Sequence, residues 1–174
     1  VALIGTWGSV QWLPLWADKL IGHELPAVKG ITMFILSVGA IVGCFIGPWI
    51  GHRMGRRPAY FILCLASLVS CGVLFRAVTS FGPMFIGGTF VVGAFTAAFY
   101  GWLPLYLPEL FPTRLRATGT GFCYNVSRYL AAAAPFFFGQ LSATYGIQMA
   151  ALFVSSFFIL GMMVLPFAPE TKGK

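Results

Sequence analysis

Three residues, Tyr124, Asn125 and Arg128, carry the sharpest chemical signal in the sequence. Their spacings of four and three bring a phenol, a carboxamide and a guanidinium onto one face of a helix. They lie inside the apolar run that follows "PELFPTRLR". At about 1.5 Å of rise per residue, Arg128 stands roughly 18 Å beyond Arg116, near the middle of a hydrocarbon layer about 30 Å thick. An arginine at such a depth costs about 2.5–3.5 kcal/mol on insertion scales, so it faces a bundle interior or a wet cavity and has a partner or a task. Its planar fork of donors suits a carboxylate through two parallel hydrogen bonds. No acid in the sequence is placed to pair with it, which points to an anionic solute oriented by Asn125 and Tyr124. The other reading of Arg128 is a fixed structural pair or bonds to backbone carbonyls.

Two further groups bear on the same chemistry. Gln11, between Trp7 and Trp12, is either a helix-to-helix hydrogen bond or a solute contact flanked by indoles, and the sequence leaves both open. Thr89, Gly93, Thr96 and Tyr100 recur at four, three and four, so they share a helix face that reads as cavity lining ahead of close helix packing. A charged set stands apart from these. Arg53, Arg56 and Arg57 crowd the turn "GPWIGHRMGRRP", and Glu109 with Arg116 falls in "PELFPTRLR". If both turns lie on one membrane face, Glu109 can pair with an arginine and latch two helix pairs together, forming a gating network. The plainer reading of the arginines is a topological anchor.

Cofactor, metal and catalytic chemistry find no support. Cys44, Cys64, Cys71 and Cys123 all fall inside apolar runs, where cysteine behaves as a small hydrophobe, and His23 and His52 lack metal-type spacing. Asp18, Glu24, Glu109 and Glu170 stand in loops or at helix ends, with no acid, base and nucleophile in one cluster, so the chain is read as no enzyme.

The elements that must position these residues follow from composition. Of 174 residues, 59% are hydrophobic and only 9% are charged, and the mean hydropathy is +0.87. Soluble domains carry roughly 25% charged residues, so this is an integral membrane protein. Its net charge of +7 is scattered between apolar runs and builds no basic face, which excludes a nucleic-acid partner in favour of the lipid bilayer. Apolar runs place six transmembrane helices at about 1–18, 28–50, 58–77, 84–107, 117–138 and 148–167, with no barrel-type alternation. The first run is short and lacks a leading methionine or basic flank, so the chain is expected to be a piece that begins inside its first helix. The loop "ADKLIGHELPAVKG" reads as a solvated connection, and the last helix, without a polar stripe, as lipid-facing scaffold. Six passes put Arg53, Arg56, Arg57, Arg114, Arg116, Lys172 and Lys174 on one side and Lys19, Lys29 and Arg76 on the other. The richer side, with the C-terminus, is then cytoplasmic.

Taken in order, four stretches resemble the C-terminal half of a major facilitator superfamily transporter. They are "GHRMGRRP", "PELFPTRLRATGTG", "YNVSR" and "PETKG", and the resemblance covers nearly the whole chain. "YNVSR" is similar to the organic-acid and sialate-type symporters, and "PETKG" to the sugar-porter-like branch. The resemblance implies an all-α membrane fold, half of a twelve-helix bundle, made of two inverted three-helix repeats with solute at the midplane. It also implies a missing N-terminal half and a multi-pass place in the cell membrane. The implied activity is secondary active transport of a small metabolite by alternating access, an organic anion symported with protons. A sugar or polyol porter and a non-transporting solute sensor stand as alternatives. His52 occupies the position where the family turn usually has an aspartate, so Glu109 must supply the acid of any latch.

Overall fold

A backbone placed in lipid must satisfy its peptide groups internally, and a helix does so within one segment. The computed structural model, which describes residues 2–22 and 27–171, has helices throughout and no strand among those residues. The first pass comes in three pieces: α1 (Ala2–Ser9), a 3₁₀ turn (Val10–Trp12) and α2 (Leu13–Ile21). α3 (Val28–Met54), α4 (Arg56–Ala77) and α5 (Pro83–Tyr106) follow. After a 3₁₀ turn at Leu107–Leu110, α6 (Arg116–Ala132) leads into α7 (Ala134–Ser155), and α8 (Phe157–Val164) closes the chain with a last 3₁₀ turn at Leu165–Phe167. α3, α4, α5 and the stretch from Arg116 to Phe167 are long and apolar enough to cross a membrane. His23, Glu24, Lys172 and Lys174 lie outside the described residues.

The 52 residues from Arg116 to Phe167 would span about 78 Å as one helix, more than two bilayers. Gly146 divides them, with φ 83° and ψ 163°, a left-sided backbone that L side chains avoid. At one end of α4, Arg57 donates to the carbonyls of Pro166 and Ala168; at the other, Gln148 donates to the carbonyl of Val78, 3.5 Å away. The segment after Gly146 therefore runs antiparallel to α4, and the chain makes six passes. The fifth pass continues to Tyr145, beyond the apolar run that ends at Phe138. Ser142 and Thr144 turn their hydroxyls onto the carbonyls of Gly139 and Gln140, so the helix carries its polar residues without a loop.

Alternating passes make two trios of opposite direction. α3 packs on α5, α1 on α6, and α4 on α8, which is the contact set that exchanging two inverted three-helix units would preserve. Two sequence expectations change here. The connection after the first pass is shorter than a solvated loop from Ala17 to Gly30: Asp18 sits inside α2, only 5% exposed, and its Oδ2 meets Lys29 Nζ at 2.9 Å. The helix outlasts the apolar run because the ion pair lets a carboxylate be carried inward. The last pass is more than lipid-facing scaffold, since Phe158 is fully buried and stacks on Phe99 with ring centroids 5.9 Å apart.

The closest approach in the bundle is between α3 and α5. Gly39, Gly43 and Gly47 lie one turn apart on α3, and a Cβ on any of them would overlap the carbonyl oxygen of Phe90, Ala94 or Ala98 respectively. Gly93 and Gly101 return the fit from α5, against the carbonyls of Leu36 and Cys44. Lipid gives helices no hydrophobic reason to associate, so small residues that let backbones touch supply the attraction. Gly43→Leu is expected to destabilise the fold by about 3 kcal/mol or more, because backbone stands in the way of the new side chain. Gly72→Ala, in open space on α4, is expected to stabilise by about 0.5–1 kcal/mol. Unfolding monitored in detergent checks both, and equal stability of the two variants would refute the seam.

Candidate functional site

α6 lies open along its length, with Ala131 its only buried residue among those described. The helix is continuous from Arg116, so Arg128 stands twelve residues in, roughly 18 Å from the start. Its guanidinium carbon is 5.9 Å from the centroid of the Tyr124 ring, within cation–π range. Tyr100 of α5 is half-covered, and one turn before it the carbonyl of Thr96 accepts from Thr6 of α1. A cleft of about 370 Å³ is lined by Trp7, Arg128, Ala131, Ala132 and Pro135.

Two helix breaks flank this cleft. α1 gives way to the 3₁₀ turn just before Pro14, and α6 gives way to α7 at Ala133, just before Pro135. The broken stretches touch: Gly8 of α1 has Ala134 beside it, and Trp12 stacks on Phe138 with centroids 4.5 Å apart and planes 3° from parallel. Proline removes a donor and forbids the regular turn before it, which explains both breaks.

Other residues singled out from the sequence are placed differently. Trp12 belongs to the packing around Phe138, while Gln11 is exposed on the 3₁₀ turn. Asn125 is exposed on α6, and its amide donates to the carbonyl of Gly121 at 2.8 Å. Thr89 and Thr96 are wholly buried; Thr96 donates to Val92 O at 2.6 Å, and its own carbonyl accepts from Thr6. Of the α5 stripe, Thr89, Gly93 and Thr96 are buried, and Tyr100 is the half-covered member.

At the end of the bundle where α4 begins, a denser polar cluster forms. Arg56 grips Glu109 with two parallel bonds, Nε to Oε2 at 3.0 Å and Nη2 to Oε1 at 2.5 Å, and gives Nη1 to Gly51 O at 2.8 Å. Thr171 Oγ1 donates to Glu109 Oε2 at 2.5 Å. Glu170 accepts the backbone N–H groups of Arg56 and Arg57 at 2.8 and 3.0 Å, which caps the first turn of α4 with a negative charge where the helix dipole favours one. The Tyr106 hydroxyl donates to Pro169 O at 2.9 Å. Arg53 instead lies over Trp49, 4.8 Å from the ring centroid, and Arg116 is exposed at the start of α6. Glu170, Thr171 and Tyr106 join this cluster without a sequence expectation that places them there. The signal available was the recurrence of Pro-Glu at 108–109 and 169–170, two acids arriving at one end.

An inverted pair of three-helix units, with a charged cluster at one end and a lone arginine partway along an open helix, defines a multi-pass membrane protein. The chain belongs to the Major Facilitator Superfamily, whose family model matches residues 1–135. It is 28% identical to the "Probable 4-methylmuconolactone transporter" of Cupriavidus pinatubonensis over 99% of its own length and 41% of that protein. It is 32% identical over 111 residues to the facilitated glucose transporter member 2 of Rattus norvegicus, covering 60% of this chain and 21% of that one. Its fold matches the xylose transporter of E. coli, in a partially occluded inward-open conformation, with a TM-score of 0.70 at 18% identity over 98% of this chain and 47% of that structure. The chain thus spans about two fifths of the length of the curated relatives that match it across almost all of its residues.

The Arg56–Glu109 pair is the strongest interaction of the charged end, and it yields a direct test. Glu109→Gln is expected to destabilise the folded protein by about 1–3 kcal/mol, the usual range for a charge-assisted bond whose partner stays half-buried. A double-mutant cycle with Arg56→Gln should show coupling of about 1 kcal/mol or more. The same cycle with Arg53→Gln should show none, and the reverse ordering would refute the pairing.

Proposed function

We propose that this chain is the C-terminal six-helix half of a secondary active transporter in the cell membrane, and that the whole protein moves a small organic anion by alternating access. The observation that carries this reading is Arg128, held at mid-depth on an open helix beside Tyr124 and lining one cleft with Trp7. A charge at that depth needs an opposite one. The described acids are engaged elsewhere: Asp18 with Lys29, Glu109 with Arg56, and Glu170 at the start of α4. An arriving carboxylate is the remaining partner within this chain's reach.

An N-terminal half would close the cleft from the side that α6 leaves open. Positive-inside topology sets the Arg56–Glu109 end and the C-terminus in the cytoplasm. That cluster, built by Arg56, Arg57 and Glu109 with Glu170 and Thr171, then acts as the cytoplasmic gate element, while Arg53 and Arg116 serve as topological anchors. The name of the muconolactone relative supports an organic acid. The glucose and xylose transporters among the similar proteins favour a second reading, a sugar or polyol porter, in which Gln11, Asn125 and Tyr100 would read hydroxyl groups.

Arg128→Lys keeps the charge and loses the fork. Carboxylate affinity of the purified full-length protein should fall by about tenfold or more, and Arg128→Ala should abolish binding while folded yield is unchanged. Normal affinity in the alanine variant would end the anion reading. Proton coupling gives a separate expectation. The described acids of this half are ion-paired or lie at its ends, so Asp18→Asn and Glu24→Gln should leave pH-driven accumulation in vesicles intact, while Glu109→Gln and Glu170→Gln, which alter the gate, should change its rate and keep its dependence on the pH gradient, the proton site lying in the N-terminal half. Loss of accumulation with binding retained, in any one of them, would place the proton site here instead.

A further inference from the structure

We propose that the groove between α4 and α5, at the end of the bundle opposite Arg56 and Glu109, holds one phospholipid of net negative charge, with its phosphate on Arg76 and an acyl chain along the groove. The groove has a volume of about 510 Å³, both of its walls belong to this chain, and it shares no lining residue with the cleft at Arg128. On α5, Met84, Gly88, Val91 and Phe95 recur at four, three and four and share one face. On α4 the facing wall runs from Ala66 through Val69 and Val73 to Val78. Ala66, Ser70 and Gly88 are small and half-covered, whereas Val69, Val73, Met84 and Val91 stand exposed, so the groove has a recessed floor between bulky rims.

Length, polarity and charge select the occupant. From Ala66 to Val78 the wall rises roughly 18 Å, close to the depth of one leaflet in a hydrocarbon layer about 30 Å thick. Among the lining residues Ser70 carries the one polar side chain, and its hydroxyl is donated to the carbonyl of Ser67 at 3.1 Å, so the groove offers a hydrocarbon chain nothing but apolar contact. Arg76 follows Val69 and Val73 at spacings of four and three, which sets it on their face and one turn beyond the groove. It is exposed and makes no hydrogen bond or ion pair among the described residues. A guanidinium grips a phosphate through two parallel bonds. The described acid at this end, Asp18, is buried against Lys29, so no described carboxylate is free there to attract the amine of a zwitterionic headgroup, and a net negative one is favoured. A second copy of the chain fits this face poorly. Docked through a two-fold axis along the membrane normal, it would set Arg76 level with its own counterpart, like charge against like. The exposed valines and methionine of the rim would also hold the helix backbones apart, unlike the glycine seam of α3 and α5.

The test is lipid titration of the purified, delipidated full-length protein, with the tightest bound lipid read by native mass spectrometry. The probes are palmitoyl-oleoyl phosphatidylglycerol, phosphatidylcholine and diacylglycerol with the same chains, and a phosphatidylglycerol with short, water-soluble chains. Long-chain phosphatidylglycerol should bind about fivefold more tightly than phosphatidylcholine, the usual contribution of one arginine at a membrane surface. Diacylglycerol and the short-chain lipid should each bind at least about tenfold more weakly than long-chain phosphatidylglycerol, since the first lacks the phosphate and the second the chain. Arg76→Gln should erase the preference for phosphatidylglycerol, and Arg76→Lys should keep part of it. Val73→Trp and Val91→Trp fill the groove from its two walls, and each should weaken both long-chain phospholipids by about tenfold. Both valines are exposed, so melting in detergent without added lipid should be unchanged, and either variant serves should the other lower the folded yield. Equal binding of the two long-chain phospholipids, or a preference that survives Arg76→Gln, overturns the headgroup contact. Short-chain phosphatidylglycerol binding as tightly as the long-chain lipid, or unchanged binding in the tryptophan variants, overturns the groove.

Discussion

Everything in this half-bundle depends on how closely α3 and α5 approach. In lipid, side chains gain nothing by leaving their apolar surroundings, so association must come from contact between backbones and from polar links. Gly39, Gly43 and Gly47 on one helix, with Gly93 and Gly101 on the other, remove the side chains that would hold the two apart. The fit fixes the rotation of α5: Gly101 faces the carbonyl of Cys44, and Tyr100 beside it is left half-covered. The same rotation sends Thr89 and Thr96 into the packing, where Thr96 ties α5 to Thr6.

Polarity is partitioned along the membrane normal. One end concentrates Arg56, Glu109, Glu170 and Thr171 into a cluster whose donors and acceptors satisfy one another, while the opposite end has Asp18 with Lys29. Between them Arg128 is the one described side chain with a permanent formal charge, and it stands on the helix with the fewest covered residues. Ion pairs at the ends hold the turns, and the middle is left chemically unbalanced.

The two broken passes give the cleft its shape. Pro14 and Pro135 interrupt adjacent helices at similar depth, and the Trp12–Phe138 stack holds the breaks together.

By itself the sequence determined the class of the fold, the number of passes and the identity of the charged residue at mid-depth. Those features rest on local quantities: the length of an apolar run, the period of a helix and the count of charges in each turn. It also narrowed the partner of Glu109 to a few arginines. Only the tertiary structure chose Arg56 over Arg53 and Arg116, because a two-bond grip depends on where the α4 turn meets the end of α5 and not on spacing along the chain. The structure also decided that Thr89 and Thr96 pack while Tyr100 is presented, since helical spacing says which residues share a face but not what that face meets. The extension of the fifth pass to Tyr145 and the burial of Asp18 were likewise decided by packing. Asp18 is carried inside by its pairing with Lys29, and Ser142 and Thr144, at exposed positions, bond to carbonyls of their own helix; hydropathy alone does not register such partners.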